Sequence, residues 1–358
     1  MKIRLWYGKL HYAGITLHTA ASGAVNALEI LWLQLDDAIG EVRLNIDYLH
    51  GYSATQVLQN VQRALAQWNS HACPKSLLEK VHTEGAGLLA PTRMLLDMAL
   101  HNLLAKRAQQ SLAQYLGATT PCALSFMTNQ TLFWGSEAQM LHQAEHYVDR
   151  GFTQLKLRTG VADFATDLAR LQRLRSEFGT SISLAIDVNG QWSLTQAQQA
   201  FPVLCDLGLS YVEQPLAPTE DDKLNMLYSF GMPIMLDESL INDVAIDRLI
   251  MANGALWGHL KLVKFGGITP TLAVARRLQR GGIPFMVGQM NEGHAATSAA
   301  LQLCRLLQPQ FAELYGADGL IDDAVSGLQY HHGCVEVSNI DGLGVNFDAT
   351  RATLIQEF

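Results

Sequence analysis

Gln154-Leu-Lys-Leu-Arg158, Ser183-Leu-Ala-Ile-Asp187, Ser210-Tyr-Val-Glu213, Ile234-Met-Leu-Asp237 and His259-Leu-Lys261 decide the fold. Each is a short apolar run that ends in a charged residue. Asp187, Glu213, Asp237 and Lys261 follow one another at intervals of 26, 24 and 24 residues. A strand, a crossover helix and two short loops take about that much chain, since the crossover alone needs roughly a dozen residues. A fixed period of this kind points to repeated βα units in a parallel sheet. The carboxyl ends of such strands converge on one face, so three carboxylates and several cations would share one cavity. The alternative is three unrelated solvated acids in loops, but a solvated acid has no reason to close an apolar run every time.

Outward from this core the alternation continues. Pro284-Phe-Met-Val-Gly288 and Gln310-Phe-Ala-Glu-Leu314 read as strands seven and eight, and Ala123-Leu-Ser-Phe-Met127 as strand one. Helical stretches fill the gaps at about 136–150, 161–178, 194–206, 219–230, 242–253, 270–280 and 293–307, most of them stopped by a glycine. This predicts an α/β fold, a (β/α)8 TIM-like barrel or a close variant. Residues 1–55 differ. Ile3-Arg-Leu-Trp-Tyr7 and Ile30-Leu-Trp-Leu-Gln-Leu35 read as antiparallel strands, with Asp36-Asp-Ala-Ile-Gly40 as a turn. Ser53 caps a helix that runs to about Trp68, Pro91 to Lys106 is an amphipathic helix, and Ser111 to Leu116 is a short one. The change of order near Pro121 divides the chain into an N-terminal α+β domain over 1–118 and a barrel over 119–325. Over 326–358, Val335-Glu-Val-Ser338 and Gly342-Leu-Gly344 read as a closing strand and turn packed back on the N-terminal domain.

The chain has 358 residues, of which 49% are hydrophobic and 16% charged, enough for a sizeable core. A net charge of −8 and no basic stripe argue against nucleic acid or an anionic membrane as partner. The start has no apolar signal-peptide core, and no apolar run approaches the ~20 residues of a transmembrane helix. Five scattered cysteines without a CxxC pair read as buried free thiols of a cytoplasmic protein.

Asp187, Glu213 and Asp237 are three hard oxygen donors at neighbouring strand ends. Such a set favours Mg²⁺, with Mn²⁺ as the other choice, over zinc. Asn189 and Glu238 lie close enough to support them. Lys156 and Arg158 alternate on one strand and share its inward face. Lys261 and Lys264 lie four strands away, which in a closed eight-stranded barrel is the opposite wall. A carboxylate substrate bound between these walls would have its α-carbon flanked by cations. Loss of its α-proton becomes feasible when the resulting enediolate is held by a divalent ion and an ammonium. A lysine whose pKa is lowered by burial and positive neighbours can act as the base.

Leu155-Lys-Leu-Arg158, Ile186-Asp-Val-Asn189, Val212-Glu-Gln-Pro215, Leu236-Asp-Glu-Ser239 and Leu260-Lys-Leu-Val-Lys-Phe-Gly-Gly-Ile268 together resemble the enolase superfamily, in its mandelate racemase/muconate-lactonising branch. The resemblance spans most of the chain. It implies a modified barrel under an N-terminal α+β capping domain, Mg²⁺ on Asp187, Glu213 and Asp237, and Lys261 as acid/base. Two positions depart from the pattern. The branch carries Lys-x-Lys at strand two, where this chain has Lys156 and Arg158. A guanidinium seldom acts as a base, so Arg158 is expected to be a fixed cation. Dipeptide epimerases of the branch carry Asp-x-Asp at strand eight, where this chain has Glu313-Leu-Tyr315. His18 falls where the branch has a mobile capping loop and is a candidate substrate contact. Asn291, Glu292 and His294 are candidates for the cavity wall, with Glu292 placed to orient Lys261.

The expected function is therefore Mg²⁺-dependent abstraction of the proton α to a bound carboxylate. Arg158 favours a one-base outcome, cycloisomerisation or elimination. The alternative is a racemase or epimerase of amino-acid or dipeptide derivatives with Lys156 as second base. A third expectation, of a different class, is a catalytically lapsed carboxylate-binding relative. The expected partner is a small-molecule carboxylate, with a homo-oligomer left open.

Overall fold

The computed structural model describes residues 1–358 except 14–16, 20–22, 120–122, 134, 161 and 338–340, and at 17–19 it describes the backbone alone. Leu28–Leu35 and Ala38–Arg43 form a hairpin whose turn is only Asp36 and Asp37. Ala38 to Gly40, expected in the turn, already belong to the second strand because Ala38 and Ile39 are buried. Ile3–Leu10 pairs with the other side of Leu28–Leu35, and Thr353–Glu357 adds the outer edge.

Helix Ala90–Arg107 lies against this sheet. Gly40 permits the approach, since a Cβ there would strike Leu95 O and Ala99 N. The sequence reads this helix as amphipathic, yet Asp97, His101 and Asn102 are buried as well. The reason is a second neighbour: the helix also packs on Leu262–Phe265 and Ile268–Arg280 from the barrel. Asp97 and His101 are bonded across that seam, whereas Asn102 donates to Ile39 O and accepts from Leu343 N. Asp97 accepts from Ile268 N at 2.5 Å and from His82 Nε2 at 2.7 Å. It thereby caps helix Ile268–Arg280, whose own N-cap, Gly267, has no side chain to offer.

The barrel is a sheet of eight parallel strands in chain order: Gln130–Leu132, Gln154–Arg158, Ser183–Asp187, Val212–Glu213, Ile234–Leu236, Leu256–Lys261, Phe285–Gly288 and Phe311–Glu313. Strand one is thus Gln130–Leu132, not 123–127. Asn129 N donates to Ala312 O at 3.0 Å and ties strand eight to the lead-in of strand one. Ser125–Met127 pairs instead with Cys334–Val337, beside Leu328–His331. Val335 and Val337 are therefore not packed on the N-terminal sheet. His332 and Gly333 press on Gly151 just ahead of strand two, so this small sheet covers the barrel end remote from the carboxylates. What returns to the N-terminal part is Gly342, bonded to Gln110 and Leu112, and the strand Thr353–Glu357.

Four helices, at Ser53, Ser111, Ser136 and Ser193, open with a serine whose side chain accepts from a glutamine N–H three residues on, and the glutamine reciprocates. The segment Pro218–Phe230, expected as an α-helix, runs as 3-10 turns, with Asp221 drawn to Ser239 Oγ at 2.7 Å and to Arg248. Of the described cysteines, all four are free but only Cys304 is buried, so the expectation of buried thiols holds for that one. No helix among the described residues is long and apolar enough to cross a membrane.

Asp97 generates a test of how the two parts hold together. Asp97→Ala strands the first N–H groups of Ile268–Arg280 and should cost roughly 2–4 kcal/mol in chemical denaturation. Burial pushes the Asp97 carboxyl up, but His101 and His82 outweigh it and hold it below the ordinary value. A depressed carboxyl stabilises above its unfolded pKa, so the gap between wild type and variant should persist at neutral pH and shrink below about pH 4. A gap unchanged at pH 3 would show that the charge is not its source.

Candidate active site

Alternation along the barrel strands stacks two layers inside it. Ala185, Tyr211, Met235 and Met286 form a separate apolar cluster with Trp257 and Phe311. Two residues further along the same strands, on the same inward face, come Asp187, Glu213, Asp237, His259, Gly288 and Glu313. The charged layer thus rests on an apolar floor. Asp187 is paired in register with Arg158 on one side and Glu213 on the other.

Every carboxylate in this layer is matched. Lys156, fully buried, donates to Glu213 Oε2 at 2.9 Å, contacts Glu313, and lies 3.9 Å from Asp187. Lys261 donates to Asp237 Oδ2 at 2.7 Å, and Lys264 to Asp237 Oδ1 at 2.7 Å and His259 O at 2.6 Å. Burial pushes Asp237 up, but Lys261 and Lys264 together hold it well below the usual carboxylate range. Asp187 has weaker support: burial and then Glu213 raise it to about 6. Asn189, with φ 49°, donates through Nδ2 to both Asp187 Oδ2 at 3.1 Å and Glu238 Oε1 at 3.0 Å. Burial, then Asp237 and Asp187, raise Glu238 to about 8.

Above the layer opens a cavity of about 430 Å³, lined by Arg158, Lys261, Glu238, Tyr315, Tyr48 and Asn291 among others. Arg158 sits 3.7 Å from Asp187 and over the Phe133 ring at 5.7 Å, with Nε unpartnered. Lys156 does not reach the cavity, and Lys264 is a brace for Asp237. Glu292 and His294 do not line it either. They turn into a buried cluster at the start of helix His294–Leu307, where His294 pairs with Asp323 at 2.9 Å. No hydrogen bond joins Glu292 to Lys261, which is held by Asp237. The side chain of His18, on strand Leu17–Thr19, lies outside the described residues.

Three residues escaped the sequence reading. His259 Nδ1 meets Glu213 Oε1 at 2.8 Å. Its spacing of two from Lys261 on one strand was the available signal. Gln214, at φ 37°, accepts from both Asp237 N and Ser239 N and so locks the ends of strands four and five together. Tyr315 joins the cavity from beyond strand eight.

Residues 139–351 match the sequence family described as enolase C-terminal domain-like. The chain belongs to the enolase superfamily. An L-Ala-D/L-Glu epimerase of Escherichia coli (strain K12) is 32% identical over 79% of this chain and 83% of its own length. Muconate cycloisomerase 1 of Pseudomonas putida is 28% identical over 72% of this chain and 69% of its own. In fold, this superfamily member superposes on a dipeptide epimerase from Methylococcus capsulatus, complexed with Mg and the dipeptide L-Arg-D-Lys, with a TM-score of 0.87 at 22% identity over 97% of this chain and 100% of that one. The relatives named here and an N-succinyl-L-Arg/Lys racemase of Bacillus cereus are isomerases, and the chain is an enzyme of the same superfamily.

The donor set suits a hard divalent ion. Asp187, Glu213 and Asp237 are each at most 5% exposed, at the ends of adjacent strands. Ligand atoms of Glu213, Asp237 and His259 lie within 4.8 Å of one another, whereas Asp187 is turned toward Lys156 and Arg158. Asp187→Ala, Glu213→Ala and Asp237→Ala should each weaken Mg²⁺ binding at least tenfold in titration calorimetry. Undiminished affinity in all three would remove the site.

Proposed function

We propose that this enzyme takes the proton α to the carboxylate of a small molecule, with Lys261 as acid/base and Mg²⁺ held by Asp187, Glu213 and Asp237. The observation that carries the reading is that Lys261 is the lysine that both lines the cavity and touches a carboxylate of the metal set. Burial alone would lower the Lys261 ammonium, but Asp237, Glu313 and Glu213 raise it above its ordinary value. Mg²⁺ held by Asp187, Glu213 and Asp237 would supply two positive charges, which would stabilise an enediolate and offset the field that keeps Lys261 protonated. Arg158 then offers a permanent positive charge on the facing wall, oriented by the Phe133 ring.

Two outcomes of that proton transfer compete. Among the described residues Lys261 is the one lysine lining the cavity, which supports one-base chemistry, cycloisomerisation or elimination, because Lys156 is sealed beneath it between Glu213 and Glu313. The names of the sequence relatives support the other outcome, epimerisation of an amino-acid derivative. The test is a panel of carboxylic acids and N-acyl amino acids incubated with enzyme and Mg²⁺ in D₂O, followed by NMR at the α-proton. One-base chemistry exchanges one enantiomer of a chiral acid, and epimerisation exchanges both.

Lys261→Ala should abolish exchange while leaving Mg²⁺ affinity within a few-fold. Exchange at the wild-type rate would place the base elsewhere. Arg158→Ala should lose roughly 10²–10³-fold in turnover without losing the ion. Arg158→Lys puts a titratable amine opposite Lys261 and gives up the planar fork. It should lower turnover of the native substrate and open exchange of the second enantiomer. Unchanged turnover with no new exchange would mean that position 158 does not face the reacting carbon.

A further inference from the structure

We infer that His259 is the positioning residue for Glu213: its imidazole N–H fixes the carboxylate that the proposed ion uses. The inference rests on the metal site proposed above and assigns a residue outside it. His259 is fully buried, and Nδ1 lies 2.8 Å from Glu213 Oε1 and 4.0 Å from Asp237 Oδ1. Glu213 Oε2 is already taken by Lys156. The two contacts together hold the carboxylate plane from opposite ends. Nε2 has no partner, so the proton has a use only on Nδ1, where Glu213 accepts it.

The sequence makes room for this ring at one other place. A Cβ built on Gly288 would fall on His259 Nε2. Gly288 is not among the residues with positive φ, so backbone conformation does not require glycine there, and the imidazole does. His259 and Gly288 are therefore a pair: the larger residue on strand six occupies the side-chain space of its neighbour on strand seven. Gly288 thus fixes where the ring lies, with Nε2 over the glycine and Nδ1 left facing Glu213.

The test compares His259→Leu, which fills space without a donor, with His259→Asn, whose Nδ2–H superposes on Nδ1–H. Mg²⁺ and Co²⁺ affinities are measured calorimetrically on the ion-free proteins, and thermal melts establish that each is folded. An outer partner of this kind typically sets 10–100-fold in metal affinity. His259→Leu should weaken both ions 10–100-fold in parallel, and His259→Asn should stay within about threefold of wild type. Gly288→Ala should copy His259→Leu in the wild-type background and lose most of that effect in His259→Asn, where the space is vacant. Equal affinity in His259→Leu, or no rescue by asparagine, overturns the inference. So does a loss confined to Co²⁺, which would make the imidazole a ligand in its own right. Wild-type protein that binds neither ion overturns the metal site itself; any other failure leaves that site standing.

Discussion

A charge taken out of water has to be matched inside the protein, and the working end of this barrel is built on that constraint. Asp187, Glu213, Asp237 and Glu313 are buried with Lys156 and Lys261, and the half-buried Arg158 and Lys264 close on them with their charged ends. Four anions face four cations. Glu238 and Glu292 are further acids beside this set, and both carboxyls are pushed up by burial, that of Glu238 to about 8. The balance means that losing Lys156, which serves Glu213, Glu313 and Asp187, bares buried carboxylates, whereas Asp237 keeps Lys264 when Lys261 is lost. It also means that a divalent ion entering this set makes it net positive, which favours an anionic substrate above it.

The N-terminal sheet takes part in shaping that end. Glu41, on the strand Ala38–Arg43, accepts from Gly293 N at 2.6 Å and Ala295 N at 3.1 Å, and so supplies the cap that helix His294–Leu307 lacks. Two residues on, Arg43 donates to Met290 O at 2.6 Å. Met290 and Asn291 line the cavity. One strand of the N-terminal sheet thus sets both the helix after barrel strand seven and the loop that precedes it.

The repeat of charged strand ends was legible because a parallel barrel imposes one period on its strands and one alternation within each. That is why Lys156, Arg158, Asp187, Glu213, Asp237 and Lys261 can be placed from sequence. Strand one was misplaced because Ala123 to Met127 is more apolar than Gln130–Leu132, and the cue that separates them is a partner more than 200 residues away, Cys334–Val337. Helix Ala90–Arg107 looked half-exposed because Asp97 and His101 serve a seam, which pattern alone cannot distinguish from solvent. His259 was passed over since a histidine among apolar residues carries no sign of what it bonds. Glu292 and His294 lie off the cavity wall, beyond Asn291, although the Lys261 charge still acts on the buried Glu292 carboxyl.

The apolar floor of Ala185, Tyr211, Met235, Trp257, Met286 and Phe311 turns the barrel into a blind well. A blind well imposes a queue. Whatever lodges at the depth of Glu213 and Asp237 has to arrive before the molecule that sits on top of it, and leaves only after that molecule has gone.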